Sequence, residues 1–248
     1  MEHTTIRGTL RYTSKKKEIL DKVRGGETFI ITVHTDGRRT LRAHCAIDEN
    51  SPRVLRDNLT SYDKDWRPVD AFNQLTVDEA FVGSSWYRFT EKYAECEGWT
   101  VREGRFSLRV EYDTWPAMFG SHPMQNDAMH CKNYDLSRGP GEQTTGHYLM
   151  SSHHHRGADG PVLLRRPNGM LLGYYGIEKI TVGAGTFDAH HFRIGKNQDD
   201  AYMGTDIHPP YHLWTTTDGH YVLLKAHCTG YMQTYYELVE YEQRKNFF

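Results

Sequence analysis

The stretch "ETFIITVHTDGRRTLRAHCAI" (27–47) decides the fold, because apolar and polar side chains alternate on both sides of an Asp-Gly turn. The apolar positions of the two runs are Phe29, Ile31 and Val33, followed by Leu41, Ala43, Cys45 and Ile47. Successive side chains of a β-strand point to opposite faces, so each apolar set occupies one face. An Asp-Gly dipeptide between two such runs is a strong hairpin signal. The stretch therefore predicts an antiparallel β-hairpin.

The same alternation recurs along most of the chain. Runs with this pattern lie at 53–63, 79–95, 105–113, 169–182, 185–195, 210–230 and 231–243. About ten strands joined by short turns predict a mainly β protein with a curved antiparallel sheet or (half-)barrel, because closure protects the sheet edges. Helix signals are weak, and one or few short helices are expected. The best signal is "SKKKEILDKVRGG" (14–26), with a Ser N-cap and a Gly-Gly stop.

The stretch 115–160 has a different composition from the rest of the chain. It is rich in Gly, Pro, Asn and His and shows little alternation, which is typical of a long irregular segment that acts as a lid or binding loop. We expect a single β-rich domain over 1–248. Within it, two hairpin-rich halves, 1–114 and 161–248, would be joined by this segment.

Charge and hydropathy exclude several classes of partner. The chain has 30 Lys and Arg against 32 Asp and Glu, with no basic block beyond Lys15–Lys17, so no nucleic-acid partner is expected. No stretch approaches the ~20 apolar residues of a membrane span, and the start "MEHTTIRGTL" has no apolar leader region. We therefore expect a cytoplasmic protein with no membrane partner. The four widely spaced cysteines lack a CxxC pair, which predicts free thiols.

Three consecutive stretches near the end of the chain share a pattern with a known family. They are "GYYGIEKITVGAGTFDAHHFRI" (173–194), "YHLWTTTDGHYVLLKAH" (211–227) and "YYELVEY" (235–241). Together they resemble lipoprotein-carrier-type (LolA-like) half-barrel proteins, in which a strand, an "aGtF" strand, a Trp-bearing strand and a closing hairpin follow in this order. The resemblance covers roughly residues 170–242. It implies a curved sheet whose concave side can hold an apolar ligand.

Glu178 is the first catalytic candidate. In "YYGIEKITV" (174–182) it alternates with Tyr174, Ile180 and Val182, and so shares the more apolar face of the strand. A carboxyl group that faces an apolar interior has a raised pKa, which suits general acid–base chemistry near neutral pH. Tyr174 on the same face would contact a ligand. The alternative is an ion pair between Glu178 and an arginine across the sheet.

Histidine and tryptophan on the neighbouring strands supply further candidates. His190 and His191 point to opposite faces, so one of them faces inward, and we take His191 as the second catalytic candidate. Trp214 lies on the next strand, where its ring would stack on a flat ligand. The alternative is a core tryptophan with a satisfied indole N–H.

A second group of polar residues lies in the first half of the chain. Arg42 and His44 share one face of their strand, and Arg56 and Tyr62 lie on the next strand. If that face is concave, the arginines hold an anionic group and His44 relays a proton. If it is convex, all four side chains face water.

The stretch "SSHHHRGADGP" (151–161) raises the question of a metal. His153 and His155 share a face on a strand, whereas His154 points away, so the three cannot all bind one ion. A site built from His122, His130, His153 and His155 is therefore one alternative, and a loop of solvent-facing or hydrogen-bonded histidines is the other.

No nucleotide-binding or α/β-hydrolase motif occurs in the chain, so no cofactor is expected. These observations predict a cofactor-independent acid–base enzyme, such as a lyase, hydratase or isomerase, that acts on a small apolar or aromatic molecule. The catalytic residues would be Glu178, His44 and His191, and the substrate-binding residues would be Arg42, Arg56, Tyr62, Tyr174 and Trp214. The alternatives are a non-catalytic lipid- or aromatic-binding protein and a metal-dependent enzyme. Edge strands of such a sheet also allow a homodimer.

Overall fold

The computed structural model describes residues 2–48, 52–154, 157–196 and 208–247. The first strands are β1 (Glu2–Ser14), β2 (Val23–His34), β3 (Arg39–Ile47), β4 (Val54–Tyr62), β5 (Pro68–Val77), β6 (Ala80–Phe89), β7 (Tyr93–Thr100) and β8 (Gly104–Glu111). The central elements are β9 (Phe119–Gly120), the helix α1 (Met124–His130), β10 (Gly141–Thr144) and β11 (Tyr148–Met150). The last strands are β12 (Leu164–Arg166), β13 (Leu171–Val182), β14 (Gly185–Ile194), β15 (Tyr211–Thr216), β16 (Leu223–Cys228) and β17 (Thr234–Phe247).

Fourteen of these strands form one antiparallel sheet in the order β10-β13-β14-β15-β16-β17-β1-β2-β3-β4-β5-β6-β7-β8. β1 pairs with β2 on one side and with β17 on the other, from Glu2 opposite Phe247 to Ser14 opposite Thr234. Strands from both ends of the chain therefore join in a continuous sheet. β8 and β10 are its two end strands.

The sheet is curved around its core. A single cluster of buried side chains contains Leu10 and Leu41 from the first half of the sheet together with Phe192 and Leu213 from the second half. A sheet whose distant strands pack into one core has a concave inner face. The prediction of a mainly β fold with a curved antiparallel sheet is confirmed.

The central segment fills and covers the concave side. Five of the seven residues of α1 are buried, namely Gln125, Asn126, Ala128, Met129 and His130. The helix contacts β15 and β16. A small sheet in the order β12-β11-β9 packs in a second core cluster with β6 and β7. The segment predicted as irregular thus contains a buried helix and two strands of the small sheet.

The prediction of a helix over 14–26 is wrong. β1 ends at Ser14 and β2 begins at Val23, and only a 3-10 turn, Lys17–Ile19, is helical in the connection between them. The Gly-Gly pair lies within β2, where Gly25 has φ +126° and an added Cβ would meet the Ala46 carbonyl oxygen at 1.9 Å. The glycine therefore serves the close approach of two strands. Pairing of the start of β2 with β1 and β3 outweighs the local helix propensity.

Two of the alternating runs are divided by turns, and for the second run the Asp-Gly pair in "TTDGHY" (216–221) predicts a hairpin. The run 79–95 contains β6 and the start of β7, with a turn in which Thr90 Oγ1 donates to the Tyr93 carbonyl at 2.8 Å. The run 210–230 divides into β15 and β16 around an Asp-Gly turn, where Gly219 has φ +79°. β1 and β5 were not predicted as strands.

All four cysteines are buried free thiols, as their spacing predicted. Among the described residues, no helix has the length and apolar character needed to cross a membrane.

Candidate functional site

A partly open cavity of about 530 Å³ lies between α1, the small sheet and the ends of β13 and β14. Its apolar lining includes Met118, Met150, Met170, Ile194, Tyr148 and Tyr211. Its polar lining includes His122, Asp127, His130, Arg166, Lys196 and His208. We call this the Asp127 cavity. An apolar pocket with a few convergent polar groups is the usual form of a small-molecule site.

Burial distinguishes the floor of the Asp127 cavity from its mouth. Met118, His130 and Tyr211 are buried at the floor, whereas Lys196 and Asn168 are exposed at the mouth. Asp127 and His130 are three residues apart on α1, a spacing that brings side chains to one face of a helix. The helix therefore presents an acid and an imidazole to the same cavity.

The Asp127 carboxyl group is the most unusual group in this cavity. The group is only partly exposed to solvent. It nevertheless accepts no side-chain hydrogen bond from any residue that the structure describes. Burial, followed by the nearby Glu27 carboxylate, raises the pKa of Asp127 to about 8, against a smaller opposing effect of Arg56. A carboxyl group with this pKa is mostly protonated at neutral pH. It can then donate a hydrogen bond to a ligand.

The two histidines nearest to Asp127 in sequence have defined roles. His130 Nε2 lies 3.2 Å from the Phe119 carbonyl oxygen, and burial lowers the pKa of His130 to about 3, so the ring is neutral and Nε2–H donates to the carbonyl. His122 has φ +76°, a conformation that residues other than glycine seldom adopt. Its Nε2 lies 2.6 Å from Ser152 Oγ. Strained backbone of this kind is common at functional sites.

Glu27 on β2 holds the start of α1 in place. Its carboxylate accepts the backbone N–H groups of Met124 at 2.7 Å and Gln125 at 3.0 Å, and the hydroxyl of Tyr12 at 2.8 Å. Burial raises the pKa of Glu27, although these hydrogen bonds oppose the effect. The position of α1, and hence of Asp127, is therefore fixed from the sheet.

Arg56 and Tyr62 lie on the inner face of β4, as the concave alternative predicted. Tyr62 Oη accepts a hydrogen bond from Asn126 Nδ2 at 2.6 Å, and Arg56 donates to the Gly157 carbonyl. Burial raises the pKa of Tyr62. Tyr62 thus contacts α1 directly, and Arg56 contacts the segment at Gly157. Neither side chain lines the Asp127 cavity. Their role in substrate binding stays a prediction.

Arg42 and His44 lie on the outer face of β3. Arg42 Nη1 donates to Thr32 Oγ1 at 3.2 Å, and His44 Nδ1 lies 2.7 Å from Asp57 Oδ1. Both are exposed and border an open depression of about 710 Å³. Arg42 and His44 therefore face water, as the convex alternative predicted for them. Because Arg56 and Tyr62 face inward, the four polar side chains do not converge on one face.

The expectation that Glu178 faces the apolar interior is wrong. The register of β13 against β14 shifts between Tyr174 and Gly176, where Gly176 has φ +103°. A bulge of this kind adds one residue and reverses the faces of the following side chains. Tyr174 therefore points inward, where its hydroxyl lies 2.9 Å from His190 Nδ1. Glu178 points outward, with a side chain that is 51% exposed.

Glu178, His191 and Trp214 do come together, on the outer face of the sheet. Trp214 Nε1 donates to Glu178 Oε1, and His191 Nδ1 lies 3.2 Å from the same oxygen. The rings of His191 and Trp214 are stacked with centroids 4.1 Å apart. The indole N–H is therefore satisfied and the ring is buried, which is the structural alternative considered for Trp214.

Two further histidines extend this group. His191 Nε2 lies 2.9 Å from His212 Nδ1, and the rings of His212 and His227 are stacked with centroids 5.1 Å apart. We call His191, His212, Trp214 and His227 the outer ring cluster. Burial, followed by the charge of His212, lowers the pKa of His191 and of His227 to about 4. The cluster is therefore uncharged at neutral pH, apart from Glu178 and Lys225 at its border.

The three predicted catalytic residues do not form one site. Glu178 and His191 contact each other, whereas His44 contacts Asp57 instead. None of the three lines the Asp127 cavity. Their catalytic role stays a prediction.

The histidines considered for a metal have other contacts. His153 Nδ1 lies 2.9 Å from Asp159 Oδ2, and His122 and His130 contact Ser152 and Phe119 as described. His155 lies outside the described residues. Over 2–48, 52–154, 157–196 and 208–247, no three His, Cys, Asp or Glu side chains are placed to share a metal ion.

Sequence reasoning did not select Glu27 or Asp127. Glu27 lies on the same face as Phe29 in an alternating run, so its burial was implied by parity alone. For Asp127, the available signal was "PMQNDAMHC" (123–131), which begins with Pro and contains no Gly or β-branched residue. Such a stretch is able to form one or two helical turns.

The fold and cavity define a β-barrel-like protein with an enclosed helix. A solved structure with this architecture is a β-barrel-like protein of a domain of unknown function, DUF1849, from Brucella abortus; it has a TM-score of 0.58 and 10% identity, and 98% of each chain is covered. A proposed lipoprotein from Parabacteroides distasonis has a TM-score of 0.33 and 8% identity, with 98% of this chain and 96% of that chain covered. A proposed exported protein with a YmcC-like fold from Bacteroides fragilis has a TM-score of 0.30 and 8% identity, with 97% and 95% covered.

No protein-family model and no curated protein sequence matches the chain. At 10% identity, the Brucella structure shows the fold alone. The barrel-like part of the sequence resemblance is therefore confirmed.

Proposed function

We propose that this protein binds a small, largely apolar molecule in the Asp127 cavity. The observation that carries the proposal is the Asp127 carboxyl group, which no described side chain hydrogen-bonds and whose pKa is raised to about 8, in a cavity lined by methionine and tyrosine. The volume of about 530 Å³ lies within the usual range for ligand pockets. This proposal corresponds to the non-catalytic binding alternative of the sequence analysis.

The polar groups at the floor favour a ligand with a hydrogen-bond acceptor. Protonated Asp127 donates through its O–H, while the Nε2–H of His130 is already used by Phe119. A carbonyl, ether or hydroxyl oxygen on an otherwise apolar ligand would accept from Asp127. The three methionines of the lining adapt to irregular apolar shapes because their side chains are unbranched and flexible.

Native mass spectrometry and displacement of anilinonaphthalene sulfonate test the proposal. Met170→Trp should fill part of the cavity and reduce probe binding by at least about tenfold. The matched control is Ile177→Trp, an equal enlargement at a side chain that is 60% exposed and does not line the Asp127 cavity. Equal binding by both variants and the unmodified protein would exclude the Asp127 cavity as the site.

Acid–base catalysis in the same cavity is the second candidate, and the pKa of Asp127 favours it. A general acid works best when its pKa lies near the working pH. In this version Asp127, rather than Glu178, is the proton donor. Loss of turnover of a bound molecule in Asp127→Asn, with binding retained, would support catalysis, whereas recovery of the unchanged ligand supports binding alone.

Other sequence predictions stay proposals beside this one. They are a relationship to LolA-like carriers, a lyase, hydratase or isomerase activity, a cytoplasmic location, the absence of a cofactor and the absence of nucleic-acid or membrane partners. Identification of the co-purifying molecule would test the carrier and enzyme proposals together.

A further inference from the structure

β8 is an end strand of the large sheet with one unpaired edge. Among the described residues it pairs only with β7, whereas β10 at the other end has just four residues. The N–H of Tyr112 donates to the Lys92 carbonyl at 2.9 Å, toward β7. Backbone groups alternate in direction along a strand, so those of Ser107 and Arg109 point away from β7. No described residue pairs with them, whereas the Glu111 carbonyl at the end of the same edge accepts from Arg165 Nη1 at 3.4 Å.

The two faces of β8 differ in chemistry. Arg105, Ser107, Arg109 and Glu111 are exposed on the outer face. Phe106, Leu108 and Val110 are half-buried on the inner face and pack on the second core cluster. A groove of about 730 Å³ borders this inner face and is walled on the other side by Pro161 and Val162. A strand added at this edge would therefore meet charges on one face and an apolar groove on the other.

We propose that two copies of this chain pair antiparallel through β8, about a twofold axis at Leu108. In this register Arg105 lies opposite the partner's Glu111, and Ser107 lies opposite the partner's Arg109. Opposite charges directly across an antiparallel pair are stabilising. The same surface serves both copies, as a twofold interface requires.

Neighbouring registers are less favourable. A twofold axis at Ser107 places Arg105 opposite the partner's Arg109, and an axis at Arg109 places that arginine opposite its own counterpart. Like charges in these positions are destabilising. Exposed arginines usually protect a sheet edge from pairing. Here Glu111, which lies 3.6 Å from Arg109 of its own chain, supplies the counter-charge. A register centred on Val110 also places Arg109 opposite the partner's Glu111, but it overlaps fewer residues of β8 than the register centred on Leu108.

The inner face is compatible with the same register. Phe106 lies opposite the partner's Val110, and Leu108 lies opposite the partner's Leu108. Each copy thereby covers half-buried apolar side chains of the other beside the groove. The interface thus combines backbone hydrogen bonds, apolar contact and charge pairs.

Sedimentation velocity over a wide concentration range tests the proposal by charge exchange. Arg105→Glu should weaken dimerisation about tenfold, because each dimer contains two such pairs. Arg105→Glu combined with Glu111→Arg should restore it to within about threefold. The matched control is Arg138→Glu, the same change at an exposed residue that does not line this groove, which should leave the dissociation constant unchanged. A monomer at every concentration, or no recovery in the double variant, would overturn the proposal.

A disulfide probe tests the register directly. Leu108→Cys should form an intermolecular disulfide on mild oxidation, because residues at the axis face each other as a non-hydrogen-bonded pair with close Cα atoms. Val110→Cys is the control. In this register Val110 lies opposite the partner's Phe106, four positions away from the partner's Val110, so its thiols are too far apart to join. Equal cross-linking of the two variants would also contradict the register, and the four native thiols are buried.

Discussion

Glu27 and Gln125 are 98 residues apart in sequence, yet the Glu27 carboxylate accepts the backbone N–H of Gln125 at 3.0 Å. Pro123, which precedes α1, makes no side-chain hydrogen bond to the helix. The first N–H groups of a helix have no partner within it, so a buried helix needs an external acceptor. Glu27 is that acceptor, and α1 is a helix of seven residues held by the sheet.

Glu27→Gln is expected to lower the free energy of unfolding by about 2–3 kcal/mol. The carboxylate accepts four donors, including the Cys45 thiol, and an amide NH2 would face some of these donors instead. Chemical denaturation measures the change. Glu91→Gln, at an exposed turn residue, is the control and should change stability by less than about 0.5 kcal/mol. An equal denaturation midpoint for Glu27→Gln and the unmodified protein would contradict this role.

Asp127→Asn is expected to change how stability depends on pH. The folded-state pKa of Asp127, about 8, lies above the unfolded value near 4, so the folded state binds the proton more tightly. This contribution is present in full below about pH 4 and is lost as the pH rises to 8. Relative to the unmodified protein, Asp127→Asn should therefore gain about 1–3 kcal/mol between pH 5 and pH 8, since partial exposure screens the full shift. Parallel stability curves for the two proteins would show that Asp127 has an ordinary pKa.

Ligand binding should follow the same ionisation. Above pH 8 Asp127 loses the proton that it donates, so probe or ligand affinity of the unmodified protein should fall. The asparagine of Asp127→Asn keeps a neutral donor and should hold its affinity across this range. Titration of both proteins at pH 7 and pH 9 provides the comparison. A fall in both would assign the effect to another group.

The outer ring cluster should act in the opposite direction. The folded pKa values of His191 and His227, about 4, lie below the unfolded value near 6.5, so the folded state disfavours their protonation. Their contribution is present above about pH 6.5 and is lost as the pH falls toward 4. Thermal unfolding of the Asp127→Asn protein removes the carboxyl contribution. Comparison with the same protein carrying His191→Gln and His227→Gln separates the cluster from His130, whose pKa of about 3 acts over the same pH range. Constant stability from pH 6.5 to pH 4 in that background would contradict the buried, neutral state of the rings.

Glu178→Gln separates the two faces of the sheet. The negative charge of Glu178 raises the pKa of His191, so its removal should move that pKa further below 4 in an NMR titration. Occupancy of the Asp127 cavity should not change, because Glu178 lies on the outer face. Loss of ligand binding in Glu178→Gln would show that Glu178 contributes to the functional site.

Much of the sheet could be predicted because its signals are local. The Asp-Gly turn at 36–37 and the alternating runs around it correspond to β2 and β3 within a few residues. β13 and β14 were located for the same reason. The helix prediction over 14–26 failed because its propensity signal was weaker than the pairing of residues 23–26 with β1 and β3.

The site could be predicted only in part, because it depends on two non-local features. The bulge at Gly176 reverses the face of Glu178, and no alternation pattern reveals where a register shifts. The burial of α1 depends on Glu27, which is almost a hundred residues away. Local pattern identified 115–160 as the functional segment but not Asp127 as the group that matters within it.

The pairing of β1 with β17 over thirteen positions has a consequence for biosynthesis. During synthesis, β1 to β8 can each pair with the next strand along the chain. The second edge of β1 stays unpaired until β17, the final strand of the described chain, has been synthesised. Such high contact order predicts slow folding. Until translation reaches β17, the open edge of β1 is a surface on which nascent chains can aggregate.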